Sequence, residues 1–222
     1  MNVTIASAWR DSAHRVDRYR QQVRALDAHA RGALMIDVLA VHGDSTDDTE
    51  RALVLAGFRT VACHLGTPRY GSTEQPERMV ALSKVGNAIF NAVQPDCDVL
   101  VYVESDLIWD AHTIGSLIDM AARQDGGFDV FAPLIFAGDC FYDVWGFRKN
   151  GSRFAPFAPY HSELDHTGLT EVDSVGSCLV MRGDVARACR IRNNYCLVGW
   201  CEDARAHDFR VAVHPGFRVK HP

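Results

Sequence analysis

The stretch VYVESDLIWD (101–110) sets two acids one residue apart, Glu104 and Asp106, at the far end of an apolar run from Asp98 to Val103. Residues i and i+2 of an extended backbone project to one side, so both carboxylates can enter the same space. Acids placed there resist burial unless something positive meets them. Oxygen ligands of this kind suit a hard ion, Mg2+ or Mn2+, that completes its shell with phosphates and water. The plainer reading is that the strand has emerged and Asp106 or Asp110 caps the helix that follows. Two further acidic clusters carry the same ambiguity. In VHGDSTDDTE (41–50), Ser45 or Thr46 can cap a helix whose first turn holds Asp47, Asp48 and Glu50, which complement its dipole. A cap does not explain why His42-Gly43-Asp44 brings hydrogen-bonding groups to the end of a strand. In GWCEDARAHD (199–208), Glu202 and Asp203 open a predicted helix, where dipole complementarity alone accounts for two acids. His221, next to last, reads by itself as part of a frayed tail.

The elements that position these residues follow from periodicity. VTIASA (3–8) is a strand, and Val16, Tyr19, Val23 and Leu26 fall at helical spacing between Asp11 and Ala30. ALMIDVLAV (33–41) is a second strand, and the GDST turn leads to a helix ending near Gly57. VACHL (61–65) is the third strand. Met79, Leu82, Gly86, Ile89, Phe90 and Val93 form one face of a long helix with Pro76 in its first turn, and DVLVYV is the fourth strand. This β-α-β-α-β-α-β order predicts a parallel sheet with helices on both faces and right-handed crossovers. Ligands of such sheets gather at the carboxyl ends of the strands, so GDSTDDT and ESD should face one crevice. The second half predicts a helix at 111–123, a strand at 129–136, an aromatic hairpin and loop at 141–160, a strand at 172–181, two short helices in GDVARACR and CEDARAHD, and a final strand in FRVAVH. No repeat, low-complexity tract or linker divides the chain, which reads as one domain over 1–222.

Composition excludes several classes. The 222 residues are 47% hydrophobic and 23% charged, ordinary for a globular protein, and a net charge of −5 offers nucleic acid or anionic membrane no bulk attraction. The seven cysteines are scattered and nowhere spaced as CxxC, unlike a disulfide framework or a structural zinc site, and reduced thiols predict a cytoplasmic location. There is no signal-peptide pattern and no apolar run approaching the ~18 to 20 residues that cross a bilayer.

Taken in order, these motifs resemble the GT-A-fold glycosyltransferases, specifically the family-2-like group. That group has an acidic turn close to D-D-G-S-x-D-x-T after an early strand, here HGDSTDDT. Its metal motif ends the fourth strand, here Glu104-Ser105-Asp106, preceded on a helix by a basic-Asn pattern matched by Arg78, Lys84 and Asn87. A Gly-rich strand and Arg follow in VGSCLVMRGDV (175–185), then Trp200-Cys201-Glu202-Asp203 and a C-terminal His221. Only 137–170 is unmatched. The resemblance implies a GT-A-type, Rossmann-like, mostly parallel sheet flanked by helices, with a nucleotide-sugar half at 1–106 and a smaller β-rich acceptor half at 107–222. It implies Mn2+ or Mg2+ as cofactor and a UDP- or GDP-sugar as donor to a hydroxyl-bearing acceptor. By position, Ala6, Asp44, Lys84, Glu104, Ser105 and Asp106 would contact the donor. Asp106 and His221 would hold the metal, and Asp203, with Glu202 beside it, would be the general base of an inverting transfer. In the unmatched stretch, Trp145, together with Trp200 further on, is the candidate to stack on the acceptor.

The sequence departs from the group in three places. Glu replaces the first acid of the metal motif, His42-Gly43 replaces two acids in the first turn, and the Gln-x-x-Arg-Trp pattern of processive synthases is missing. GDST and YDVW also resemble fungal capsule and mannan mannosyltransferase-like members, too loosely to name the sugar. The competing readings are a sugar-nucleotide nucleotidyltransferase, disfavoured because SAWRDSAHR lacks a Gly-rich phosphate loop, a retaining transferase in which Asp203 only positions groups, a transferase acting on a modified nucleic-acid base, and a non-catalytic sugar- or nucleotide-binding module.

Overall fold

A computed structural model of the chain describes residues 1–71 and 75–222. The first half follows the expected alternation: β1 (Asn2–Trp9), α1 (Val16–Ala30), β2 (Met35–His42), α2 (Thr49–Leu55), β3 (Arg59–Ala62), α3 (Pro76–Asn91) and β4 (Val99–Val103). The second half comprises α4 (Ala111–Arg123), β5 (Val130–Ala137), β6 (Cys140–Phe141), β7 (Arg148–Lys149), β8 (Ser152–Arg153), β9 (Thr170–Glu171), β10 (Cys178–Arg182), α5 (Gly183–Ala188), α6 (Cys196–Ala206) and β11 (Val211–Lys220). One sheet runs through both halves in the order β3-β2-β1-β4-β10-β5-β11-β9. Its left side is parallel, with Trp9 level with His42 and Ala6 level with Tyr102. β10 then enters antiparallel to both β4 and β5, and β11 returns parallel to β5 with a bulge between His214 and Arg218.

This topology decides which residues meet. The carboxyl ends of β1, β2, β4, β5 and β11 lie along one edge of the sheet. Because β10 runs the other way, its amino end lies there too, with Cys178 beside Val103. The Ile108–Lys220 bridge fastens the chain after ESD to the end of β11, so His221 is held at the same edge and is not a frayed tail. Its N–H donates to the Phe136 carbonyl at 2.7 Å.

Every residue of β4 is buried, as a continuous apolar run in a central strand requires. Asp110 caps α4 by accepting from the Thr113 N–H at 2.8 Å, which leaves Asp106 with no capping task. Neither Ser45 nor Thr46 caps α2, which starts later, after Asp48. The Ser45 hydroxyl accepts from the Asp11 N–H, and the Thr46 N–H and hydroxyl donate to the Asp11 carboxylate. The last long helix also departs from expectation. It begins at Cys196, six residues before Glu202, so Glu202 and Asp203 lie in its second half and not in a first turn where they would meet the dipole. The cause is the apolar face of Leu197, Val198, Trp200, Cys201 and Ala204, which is buried and extends the helix backward. The strand expected at 172–181 is regular only over Cys178–Arg182, because the residues before it turn toward the hairpin of β7 and β8.

All seven cysteines are free thiols, and among the described residues no helix is long and apolar enough to cross a membrane. Trp200 is wholly enclosed, its ring stacked on Phe90 of α3 at 5.1 Å between centroids. A side chain in that position fills the core and cannot stack on an acceptor, which corrects the expectation for Trp200. Trp200→Ala should therefore cost about 3–5 kcal/mol of unfolding free energy, measured by urea denaturation. A change below about 1 kcal/mol would contradict its place in the core.

Candidate functional site

A cleft of about 330 Å³ opens at the shared strand edge. Ala8 to Arg10, Val41 to Asp44, Cys63, Leu65, Thr67, Tyr102 and Glu104 to Asp106 supply much of its wall, with α3 contributing Arg78, Ala81, Leu82 and Val85. GDST and ESD thus face one crevice, as the alternation of elements required. Ala6 does not line it. It is fully buried in the middle of β1, and Ala8 and Trp9, nearer the strand's carboxyl end, take the wall position. Lys84 does not line the cleft either, because it sits on the exposed face of α3 while Arg78 and Leu82 face inward.

The end of the cleft below β2 is built by close backbone approach. A Cβ on Gly43 would lie 2.1 Å from the Cys63 carbonyl oxygen, so no larger residue fits where β2 and β3 converge. That contact explains why glycine stands where the resembling group has an acid. Asp44 follows at a φ of 54°, a left-handed conformation that Asp tolerates. Its carboxylate accepts from the N–H groups of Leu65, Gly66 and Thr67 at 3.1–3.2 Å and from the Thr67 hydroxyl at 3.3 Å. The Thr67 N–H, the other backbone donors and the Thr67 hydroxyl together hold its pKa below the usual carboxylate range, against the opposing effect of desolvation. Asp44 accordingly shapes the loop over the cleft, and its oxygens are already engaged. Arg10 fixes the same loop from the other side, donating to the carbonyls of Thr67 and Pro68.

The opposite end of the cleft carries the acids. Arg18 donates to the Asp106 carbonyl at 2.8 Å and holds the backbone after β4. Asp106 Oδ2 lies 3.4 Å from His221 Nε2 and 3.8 Å from Arg15 Nη1. Its Oδ1 is buried and, among the described residues, has no hydrogen-bond partner. Tyr142 stacks on the His221 ring at 3.8 Å and fixes its plane. Burial pushes the Glu104 carboxyl up to about 8, with the charges of Asp106 and Asp143 adding to the shift and the Ser177 hydroxyl and Arg78 opposing it. Ser105, between the two acids, is buried and lines the cleft.

Asp143 was not anticipated as a site residue. It lies in YDVW, a stretch read above for its aromatic residues. Among the described residues its buried Oδ2 has no donor in good hydrogen-bond geometry, its Oδ1 accepts from the Gly146 N–H at 3.2 Å, and burial raises its pKa against the opposing pull of the Ser177 hydroxyl and the Gly146 N–H. A Cβ on Gly176 would fall 2.5 Å from Oδ2, so the glycine makes room for the carboxylate. The cluster therefore has three carboxylates and one imidazole, with two buried oxygens lacking partners among the described residues. Among the described residues no three of these groups bring their ligand atoms within 4.8 Å of one another, and Asp106 with His221, 3.4 Å apart, is the pair placed to share a hard or borderline divalent cation.

Glu202 and Asp203 do not line the cleft. Asp203 Oδ2 accepts from the Arg190 N–H at 2.8 Å, and its Oδ1 pairs with Arg192 Nε at 2.8 Å. Asn87 grips the same segment, exchanging two hydrogen bonds with the backbone of Ile191 at 2.8 and 2.9 Å. Glu202 is exposed and accepts from the Asn193 side chain. Both acids are occupied in shaping the 190–193 segment. Cys189, Asp203 and His207 do bring three ligand atoms within 4.8 Å of one another, but the Arg192 guanidinium places its positive charge on the carboxylate a cation would need. Trp145 is half-buried, beside exposed Tyr195 at 5.3 Å.

Glu104 gives the site a pH signature. Its pKa is higher folded than unfolded, so its favourable contribution to stability is complete below about 4.5 and is lost as pH rises through about 8. In metal-free buffer, the melting temperature should fall across that window, and Glu104→Gln should flatten the fall. An unchanged slope in the variant would contradict the burial of this carboxyl.

No protein-family model and no curated protein sequence matches the chain. Solved structures do. A mannosyltransferase from Pyrobaculum calidifontis, in complex with GDP-mannose and Mn2+, superposes with a TM-score of 0.61 at 12% identity, over 98% of this chain and 56% of that one. Glucosyl-3-phosphoglycerate synthase from Mycobacterium tuberculosis, in complex with Mn2+, UDP and phosphoglyceric acid, gives 0.57 at 14% identity, over 100% of this chain and 70% of that one. A further mycobacterial protein gives 0.55 at 16% identity, over 100% and 67%. The chain thus spans little more than half of the mannosyltransferase and about two-thirds of the others. These likenesses, with the mixed sheet and its flanking helices, establish the GT-A-type glycosyltransferase fold for this chain.

Proposed function

We propose that the chain is a divalent-metal-dependent glycosyltransferase that moves a hexosyl group from a UDP- or GDP-sugar to a hydroxyl of a small acceptor. The observation that carries this reading is Asp106, whose buried Oδ1 lacks a partner among the described residues while Oδ2 lies 3.4 Å from His221 Nε2 in a cleft also lined by Arg10, Arg15, Arg69 and Arg78. Asp106 and His221 would hold Mn2+ or Mg2+, with Glu104 facing its water shell or the ribose. The matched mannosyltransferase and synthase carry Mn2+ with GDP-mannose and with UDP, which supports the same donor class here. A cation held there supplies positive charge against the charge that builds on a departing diphosphate. Arg15 and Arg78, on the same side, would bind the diphosphate oxygens through charge-assisted hydrogen bonds. The apolar wall of Ala81, Leu82 and Val85 excludes water along the donor.

Inversion requires a carboxylate across the sugar from the leaving group, and Asp203 would have supplied it. Its oxygens instead hold Arg190 and Arg192. Among the described residues, the carboxylates that line the cleft are Asp44, already engaged, and Glu104 and Asp106 at the diphosphate end. This arrangement favours retention, with the incoming hydroxyl on the face of the leaving group and its proton passing to the departing phosphate oxygen. Asp203 then acts by positioning the 190–193 segment.

Two measurements test the reading. In calorimetry with UDP and GDP, wild-type binding should require Mn2+, and Asp106→Ala should lower the Mn2+-dependent affinity by about a hundredfold or more, which is about 2.8 kcal/mol. Equal affinity with and without Mn2+ would remove the metal from the proposal. Proton NMR of the sugar released when water serves as acceptor, recorded before mutarotation, should show the donor's own anomeric configuration. The opposite anomer would return the base to Asp203 or a residue near it.

A further inference from the structure

The hairpin of β7 and β8 carries a cationic and aromatic cluster that the donor chemistry does not use. The Arg148 guanidinium carbon lies 5.5 Å from the Trp145 ring centre and 5.4 Å from that of Tyr195, so the group is set between two aromatic faces. Arg153, level with Arg148 across the hairpin, brings a second guanidinium 5.9 Å from the Trp145 ring. Aromatic faces hold a guanidinium in place but accept none of its in-plane N–H groups. Among the described residues the Arg148 side chain has no hydrogen-bond acceptor and no ion pair, and its Nε is buried. A guanidinium pre-positioned with its donors unanswered matches a planar or tetrahedral oxyanion.

The cluster adjoins the cleft at both of its ends. Tyr195 precedes Cys196, which lines the cleft. Trp145 follows Asp143 by two residues, and the neighbouring Tyr142 stacks on His221 beside Asp106. A small molecule held by Arg148 would therefore lie next to the diphosphate end of the donor.

We infer that Arg148, with Trp145 and Tyr195, forms the acceptor subsite, and that the acceptor is a small hydroxylated anion bearing a carboxylate or a phosphate monoester. This inference rests on the transferase reading for its use of the word acceptor, but the binding it describes is measurable without donor or metal. The anion would lie across Arg148, its carbon skeleton against Trp145 and Tyr195, with a free hydroxyl directed to the cleft.

Intrinsic fluorescence tests this directly. Trp9, Trp109 and Trp200 are all buried, so Trp145 is the tryptophan that a ligand in this subsite would touch. The full-length chain is titrated with glycerate, glycerol 3-phosphate, inorganic phosphate, and methyl mannoside as a neutral sugar. The expected result is saturable quenching by glycerate or glycerol 3-phosphate, and weaker or no quenching by methyl mannoside. Arg148→Gln should weaken the anion by about tenfold or more, and Arg148→Lys, which keeps the charge without the planar fork, should fall between. Nucleotide binding with Mn2+, measured on the same variants, should stay within about twofold and shows that they are folded. Methyl mannoside binding as well as the anions, or anion binding unaltered in Arg148→Gln, would overturn the inference. Absence of anion binding in a chain that still binds Mn2+ and nucleotide would overturn this subsite alone. Loss of nucleotide binding in the wild type would instead strike the transferase reading.

Discussion

Carboxylates gathered at the end of a central strand must be balanced by positive charge, and most of the site follows from that requirement. β4 is buried along its whole length, so the residue that follows it emerges at the bottom of a cleft and not on an open surface. Glu104 answers by holding its proton to about 8. Asp106 cannot answer fully from within the protein. His221 and Arg15 approach one of its oxygens to 3.4 and 3.8 Å, and the other oxygen is buried with no donor among the described residues. Leaving a buried carboxylate oxygen unsatisfied costs on the order of 1–3 kcal/mol or more. An oxygen so placed calls for a positive or hydrogen-bonding partner.

The antiparallel entry of β10 and the return of β11 are what complete that edge. Without the first, Gly176 and Ser177 would not border Asp143 and Glu104. Without the second, His221 would be a tail residue. The pairing of Ile108 with Lys220 and the stack of Tyr142 on His221 convert a penultimate residue into a fixed imidazole. On the other flank, Asn87 and Asp203 clamp the 190–193 segment from two helices, and Tyr195 comes off that segment to meet Trp145 and Arg148. The cleft and the hairpin cluster are thus positioned by different devices. The first depends on strand ends and the second on a clamped loop and a hairpin.

Much of this was legible in the sequence, and the failures have physical causes. Strand and helix identities in the first half followed from strong periodicity, and the convergence of GDST with ESD followed from the rule that parallel strands share a carboxyl edge. What periodicity cannot supply is the direction in which one polar side chain turns. The resemblance implies a general base at Asp203, and nothing in the sequence announces that two donors thirteen and eleven residues earlier engage its oxygens in the fold. Lys84 and Arg78 stand on one helix, and only the packing of α3 against the sheet decides that Arg78 faces the cleft. Trp200 sits in a motif-like context but also on the apolar face of α6, and burial prevailed. Asp143 was visible as an acid among aromatic residues. Its signal was a pair of glycines, Gly146 and Gly176, whose role in making space appears only when the chain has folded.

The most direct test is anomalous diffraction from crystals of the full chain grown with Mn2+ and a nucleoside diphosphate. A manganese peak bridging Asp106, His221 and the diphosphate oxygens is the predicted result. A well-ordered nucleotide with no manganese at that position, or manganese held instead by Cys189, Asp203 and His207, would contradict it.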